Sequence, residues 1–400
     1  MIYLDNAATT SMRKEAYEKM LPYFTEYYGN PLGAYEFAIQ SKNAVEESRE
    51  HIASLIGADK EEIVFTSGGT EADNYALKGC AMMYKDKGRH IITTKIEHHA
   101  VFNTCKFLEE NGYEVTYLDV DEYGVVKLDM LRNAIRTDTI LISIMMDNNE
   151  IGTIQPIEEI GNIAKQKGVL FHTDAVQACG HIPIRVKEWN ISMLSASGHK
   201  FGGPKGVGFL YISKDAKLKN FMHGGSQEDG RRAGTGNVPS IVAVGEAARI
   251  ANVEMKRQME YLIKLRDYAI GRILREIPFV RLNGHRYKRL PGNMNFSFQF
   301  VEGEAMQVML DIKGICVSTA SACSTGSSEP SHVLLAIGLN EDLANSVVRM
   351  TISEYTTKKD IDITINAIKE IVFKQRQLSK EYKEIIINPR RRCGWRRKNG

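Results

Sequence analysis

Glu61–Gly79 reads EEIVFTSGGTEADNYALKG. The run to Thr66 is β-branched and aromatic, Ser67-Gly68-Gly69-Thr70 is a turn, and a helix opens at Glu71. A strand that feeds a helix through glycines presents free backbone N–H groups and the positive end of the helix dipole to an anion. The spacing is neither GxGxxG nor a Walker A motif, so dinucleotides and ATP are disfavoured and a single phosphate fits better. Alone this is a weak signal, because glycine turns before helices are common.

The same alternation continues outward. EIVFT, HIITT, EVTYL, ILISIMM, VLFHTD, ISMLSAS and GVGFLYI are β-rich runs between about Ile63 and Tyr211. Helical segments separate several of them; PIEEIGNIAKQKG puts Ile157, Ile160, Ile163 and Ala164 on one face and ends in a glycine cap. This pattern predicts an α/β domain with a mostly parallel sheet covered by helices on both faces. A long helical pattern runs from Pro239 to about Glu276, and a smaller α+β region follows it.

The chain has 400 residues, 43% hydrophobic and 25% charged, as in ordinary globular proteins. No apolar run reaches the roughly 18 residues of a membrane span, and MIYLDNAATT lacks a signal-peptide pattern, so a cytoplasmic location is expected. The six cysteines show no CxxC pair and are expected to be reduced, with Cys80, Cys105 and Cys316 as core residues. A net charge of +3 hides a mildly acidic body, because Arg390, Arg391, Arg392, Arg396, Arg397 and Lys398 crowd the end. The bland reading of such a tail is a solvated, disordered terminus; the sharper one is an acidic partner or nucleic acid.

Three further motifs carry chemistry. In SASGHKFGGPKGVGFLY, Lys200 follows a strand and is flanked by Ser197, His199 and glycines; a partly desolvated lysine there suits an imine with a carbonyl cofactor. In HTDAVQ, Asp174 ends an apolar strand and Gln177 lies three residues on. A buried carboxylate needs a cation such as a protonated pyridine, although a helix N-cap is the plain alternative. In IEHHA, His98 and His99 follow a strand; no other metal ligand stands at suitable spacing nearby, so an imidazole stacked on a cofactor ring is preferred to a metal.

Together with YLDNAATT, NNEIGTIQPI, GGSQEDGRRAGTGN, LPGNMNFSF and SACSTGSSEPSHVL, these motifs run in order from the front to about Thr357. The chain resembles the cysteine desulfurases of the class V aminotransferase group, fold-type I enzymes that use pyridoxal phosphate (PLP). The resemblance implies a large PLP-binding domain over 15–256, a small domain from 1–14 and 257–388, and a basic tail over 389–400. It implies that Lys200 holds PLP, Asp174 keeps the pyridine nitrogen protonated, Gln177 contacts the ring oxygen and His98 stacks on the ring. Gly69, Thr70, Ser197 and His199 would bind the phosphate, with Thr235 reaching the neighbouring subunit's phosphate in a homodimer. Asn149 and Arg349 would receive the carboxylate of L-cysteine.

Cys323 sits in a loop of small polar residues that is expected to move. The resemblance makes it the thiol that takes sulfur as a persulfide and passes it to an iron–sulfur scaffold or another acceptor. No intrinsic metal is implied beyond Cys323 as a transient iron–sulfur ligand shared with a scaffold. Two departures stand out: Leu32-Gly33-Ala34-Tyr35 replaces the family's usual serines and histidine, and the tail NPRRRCGWRRKNG does not match known scaffold-docking ends. Contact of that tail with tRNA is open. A selenocysteine lyase, another class V aminotransferase, or a non-catalytic assembly module on the same fold are the competing readings.

Overall fold

A computed structural model describes residues 1–319 and 330–387 of the chain. Cys323 and the basic tail lie outside these described residues. The first part comprises β1 (Ile2–Tyr3), α1 (Lys14–Met20), α2 (Pro22–Thr25), α3 (Glu36–Ile56), β2 (Ile63–Thr66) and α4 (Gly69–Tyr84). Next come β3 (His90–Thr94), α5 (His99–Glu110), β4 (Glu114–Leu118), α6 (Leu128–Ala134), β5 (Thr139–Ser143) and α7 (Ile157–Lys167). β6 (Leu170–Asp174), β7 (Met193–Ser197) and β8 (Gly208–Ile212) complete the large sheet, and α8 (Val238–Glu276) leaves it. The remainder is β9 (Val280–Leu282), β10 (Asn293–Phe298), α9 (Gly303–Ile312), β11 (Ile315–Cys316), α10 (His332–Ala336), α11 (Glu341–Asn345), β12 (Val347–Thr351), α12 (Lys358–Leu378) and α13 (Lys380–Ile387).

The large sheet has the order β2-β8-β7-β6-β5-β3-β4. Pairing is parallel from β7 through β4, while β8 runs antiparallel to both β7 and β2. Apart from the edge strand β4, its strands are buried almost throughout, which explains why they read as near-continuous apolar runs. One face packs a cluster that includes Ile142, Phe171, Leu194 and Phe209; another cluster holds Val64, Ile91, Leu141 and Leu210. α7 stops as its sequence predicts, with Gly168 left-handed at φ 65°.

α8 begins with Asn237 accepting from the Ser240 N–H, and then runs for 39 residues. Through Met255 it packs into the first core; from Leu262 it packs into a separate one with Leu4, Phe296, Met350 and Ile368. That separation supports the boundary near residue 256, which we propose as the domain division. ICVST is less of a strand than its β-branched residues suggest: β11 holds only Ile315 and Cys316, paired to β1. Cys316 is accordingly half-buried rather than a core residue, whereas Cys80 and Cys105 are buried as expected.

Candidate active site

In an open α/β sheet ligands collect beyond the carboxyl ends of the strands, and the chemistry-bearing side chains gather there. After β2 the chain turns at Ser67-Gly68 into α4; after β6 it leaves Asp174; after β7 it leaves Ser197, His199 and Lys200. Gly69, Thr70, His98, Asn149, Asp174, Gln177, Ser197, His199, Lys200 and Arg349 all line one cavity of about 610 Å³. Thr235 is not among its lining residues and is exposed. Leu32 and Tyr35 are also exposed and absent from the lining.

The turn before α4 is tightly built. A Cβ on Gly208 would lie 2.4 Å from the Ala196 carbonyl oxygen and 2.7 Å from Gly68 Cα, so only glycine lets β8 approach this turn. The Ser67 N–H donates to Glu71 Oε2 at 2.7 Å, and Arg232 grips the same carboxylate at 2.8 and 3.0 Å. Burial pushes the Glu71 pKa up, but Arg232 and the Ser67 hydroxyl and N–H outweigh it and hold the group ionised below its ordinary value. The Arg232 segment is thereby fastened to the turn.

His98 caps α5: its Nδ1 accepts from the Ala100 N–H at 3.1 Å, which leaves the proton of the neutral ring on Nε2. Burial lowers its pKa, so the neutral ring is favoured. Asp174 accepts from the Val176 N–H at 2.9 Å, and burial raises its pKa. Asp73 is fully buried beside it; His172 Nε2 lies 3.6 Å from its Oδ1, which has no hydrogen bond among the described residues, and burial followed by Asp174's charge raises its pKa as well. Ligand atoms of Asp73, His98 and Asp174 lie within 4.8 Å of one another. Behind them His172 bonds Ser143 at 2.9 Å and Ser195 at 3.0 Å, with its pKa pushed down to about 3 by burial.

Sequence reasoning assigned no role to the segment Asp5–Thr9, yet it crosses the cavity. Lys200 Nζ donates to the Ala7 and Ala8 carbonyls at 2.5 and 2.9 Å, and Gln177 Nε2 donates to Ala7 at 2.9 Å. His199 Nδ1 bonds Thr9 Oγ1 at 3.1 Å, and burial followed by Lys200 lowers its pKa to about 4. Asp5 pairs with Arg349 Nη2 at 2.8 Å, while Arg349 Nη1 donates to the Asn149 carbonyl at 3.2 Å. The only sequence signal for Asp5 was its place in the YLDNAATT motif. Asp147 was also missed: it lines the cavity fully buried, with neither oxygen partnered among the described residues.

A family model described as aminotransferase class-V matches residues 2–364. "Cysteine desulfurase IscS" of Methanosarcina thermophila is 53% identical over 388 residues, covering 96% of each protein. The chain belongs to the cysteine desulfurases of the class-V aminotransferase family. A second relative of the same description, from Dictyoglomus turgidum, is 52% identical and covers 97% of this chain and 98% of its own. Among solved structures, a "NifS-like protein" superposes with a TM-score of 0.87 at 38% identity, covering 93% of this chain and 99% of that one. "SspA in complex with cysteine" gives 0.79 at 38% identity, with 89% and 100% covered.

Membership of this family of desulfurases implies use of PLP, and the residues present fit such a group. A deeply buried carboxyl, Asp174, would recover its desolvation cost against a protonated ring nitrogen. The turn before α4 offers N–H groups to a phosphate, and an amine, an imidazole and an amide converge on the space between. No helix among the described residues is long and apolar enough to cross a membrane.

Proposed function

We propose that this cavity holds pyridoxal phosphate and converts L-cysteine to L-alanine, with the sulfur passing to Cys323 as a persulfide. The observation that carries this reading is the entry of Lys200, Asp174 and His98 into one cavity rimmed by the Gly69–Thr70 turn. Bound there, the cofactor supplies an electron sink for the bonds at the substrate's α-carbon. Lys200 holds it through its amine and moves protons at the substrate's Cα and Cβ. Asp174 keeps the ring nitrogen protonated, Gln177 contacts the ring oxygen and His98 stacks on the ring through its neutral face.

Gly69, Thr70, Ser197 and His199 hold the phosphate. Thr235, exposed in one chain, contributes to the phosphate site of a second copy in a homodimer. Asn149 and Arg349 hold the substrate α-carboxylate, a task for which a planar guanidinium is suited. The Cys323 thiolate attacks the substrate sulfur; the S–S bond forms as the C–S bond breaks, and Cβ takes up a proton. Cysteine and an enzyme thiol thus become alanine and an enzyme persulfide with no external oxidant. The persulfide then passes sulfur to an acceptor in iron–sulfur cluster assembly or tRNA thiolation, in the cytoplasm.

The test is purification of a coloured protein that releases alanine, and sulfide when a reductant is added, from L-cysteine. Cys323→Ser is expected to keep the colour and lose sulfide release, whereas Lys200→Ala loses both. Sulfide release at the normal rate from Cys323→Ser would overturn the role of that thiol.

A further inference from the structure

A second large hollow, of about 960 Å³, lies on the small domain between α9, α11, α12 and α13. Phe300, Met309, Leu343 and Leu378 give it an apolar floor, and Leu378 is 82% exposed. Its charged lining residues are Glu302, Asp342 and Glu381, with no lysine or arginine among the described lining. An apolar floor with an acidic rim fits a basic segment that carries an aromatic side chain.

The chain itself supplies such a segment. Residues 388–400 contain five arginines and a lysine, no acid, and Trp395 as the only aromatic. They leave from α13, whose Glu381 already forms part of the rim. Tyr382 anchors that helix, with ring centroids 6.1 Å from Phe279 and 5.7 Å from Phe300. From Glu381 to the end of α13 is about 9 Å at the helical rise. Trp395, eight residues further on, commands at most about 28 Å of extended chain, more than is needed to turn back onto the floor. Tethering supplies a local concentration of order millimolar, so several weak contacts suffice.

We propose that the hollow between α9, α11, α12 and α13 is the seat of the chain's own basic tail. Trp395 lies on the apolar floor, and the arginines meet Glu302, Asp342 and Glu381. The tail is then held against the small domain rather than free for nucleic acid, and rising salt releases it. This inference does not depend on the sulfur chemistry.

Trp189 and Trp395 are the two tryptophans of the chain, which gives a direct readout. In full-length Trp189→Phe, Trp395 emission is expected to be blue-shifted at low salt. Its quenching by acrylamide should be at least about threefold weaker than that of a synthetic peptide of residues 388–400. Combining Glu302→Gln, Asp342→Asn and Glu381→Gln, or adding about 0.5 M salt, should return both readings to those of the peptide. A peptide-like Trp395 at low salt would overturn the proposal, as would a shielded Trp395 indifferent to the three substitutions. A shift that appears only as protein concentration rises would place the tail on another molecule, and also overturns it. Circular dichroism of the triple variant checks that it is folded.

Discussion

Arg349 has more claims on it than it has faces. Its guanidinium already serves Asp5 and the Asn149 carbonyl, and its Nε has no partner among the described residues. A substrate carboxylate held by Arg349, as proposed, would therefore share or displace Asp5. Lysine keeps the charge but loses the planar fork, so Arg349→Lys should raise KM for L-cysteine by about tenfold or more while the cofactor absorbance is unchanged. Steady-state kinetics decides it, and an unaltered KM would remove Arg349 from the substrate site.

Glu97 is a residue-scale liability of another kind. Burial pushes its pKa from 4.5 up to about 8, although bonds from Thr94 and the Met145 N–H pull the other way. Between those values the folded state holds the extra proton. Its stabilisation is thus complete below 4.5 and is lost as pH rises through 8. His172 works in the opposite sense: with its pKa at about 3, stability is complete above 6.5 and declines as pH falls. Glu97→Gln should flatten the fall in urea midpoint from pH 5 to pH 8. An unchanged pH dependence would rule Glu97 out as its source.

At the scale of elements, the proposed phosphate turn depends on strand β8 lying against it. Gly208→Ala drives a methyl into two backbone groups that cannot rotate away. The expected cost is about 1–3 kcal/mol of stability, with weaker cofactor retention because the Gly68–Thr70 N–H groups are displaced. Dialysis against buffer, followed by absorbance, reads the retention; full retention in the variant would mean that the turn tolerates the shift. The extent of most elements was legible in the sequence because each carries a local pattern. β3 and β4 match their apolar runs residue for residue, and α7 ends at its glycine. Ile315–Thr319 carries the β-branched residues of an extended chain, yet β11 is only two residues long, because pairing needs a neighbouring strand and β1 offers only two residues.

For the whole molecule, α8 is the one helix among the described residues packed into both of these cores, and Arg257 lies exposed between Met255 and Leu262. Arg257→Pro should cost about 3 kcal/mol by breaking the helix there. It should also split a single thermal transition into two, as each core unfolds on its own; calorimetry showing one unchanged transition would mean that the cores are coupled elsewhere. The sequence by itself determined the alternating α/β order and singled out the Ser67–Thr70 turn, Lys200, Asp174 and His98, which fold into one cavity, because propensity and motif spacing are local properties. Only the tertiary structure showed Asp5–Thr9 laid over the cavity, Asp147 inside it with no hydrogen-bond partner among the described residues, and an acid-rimmed hollow beside α13. Those relations join residues hundreds of positions apart, and contact, burial and desolvation arise only when folding has brought them together.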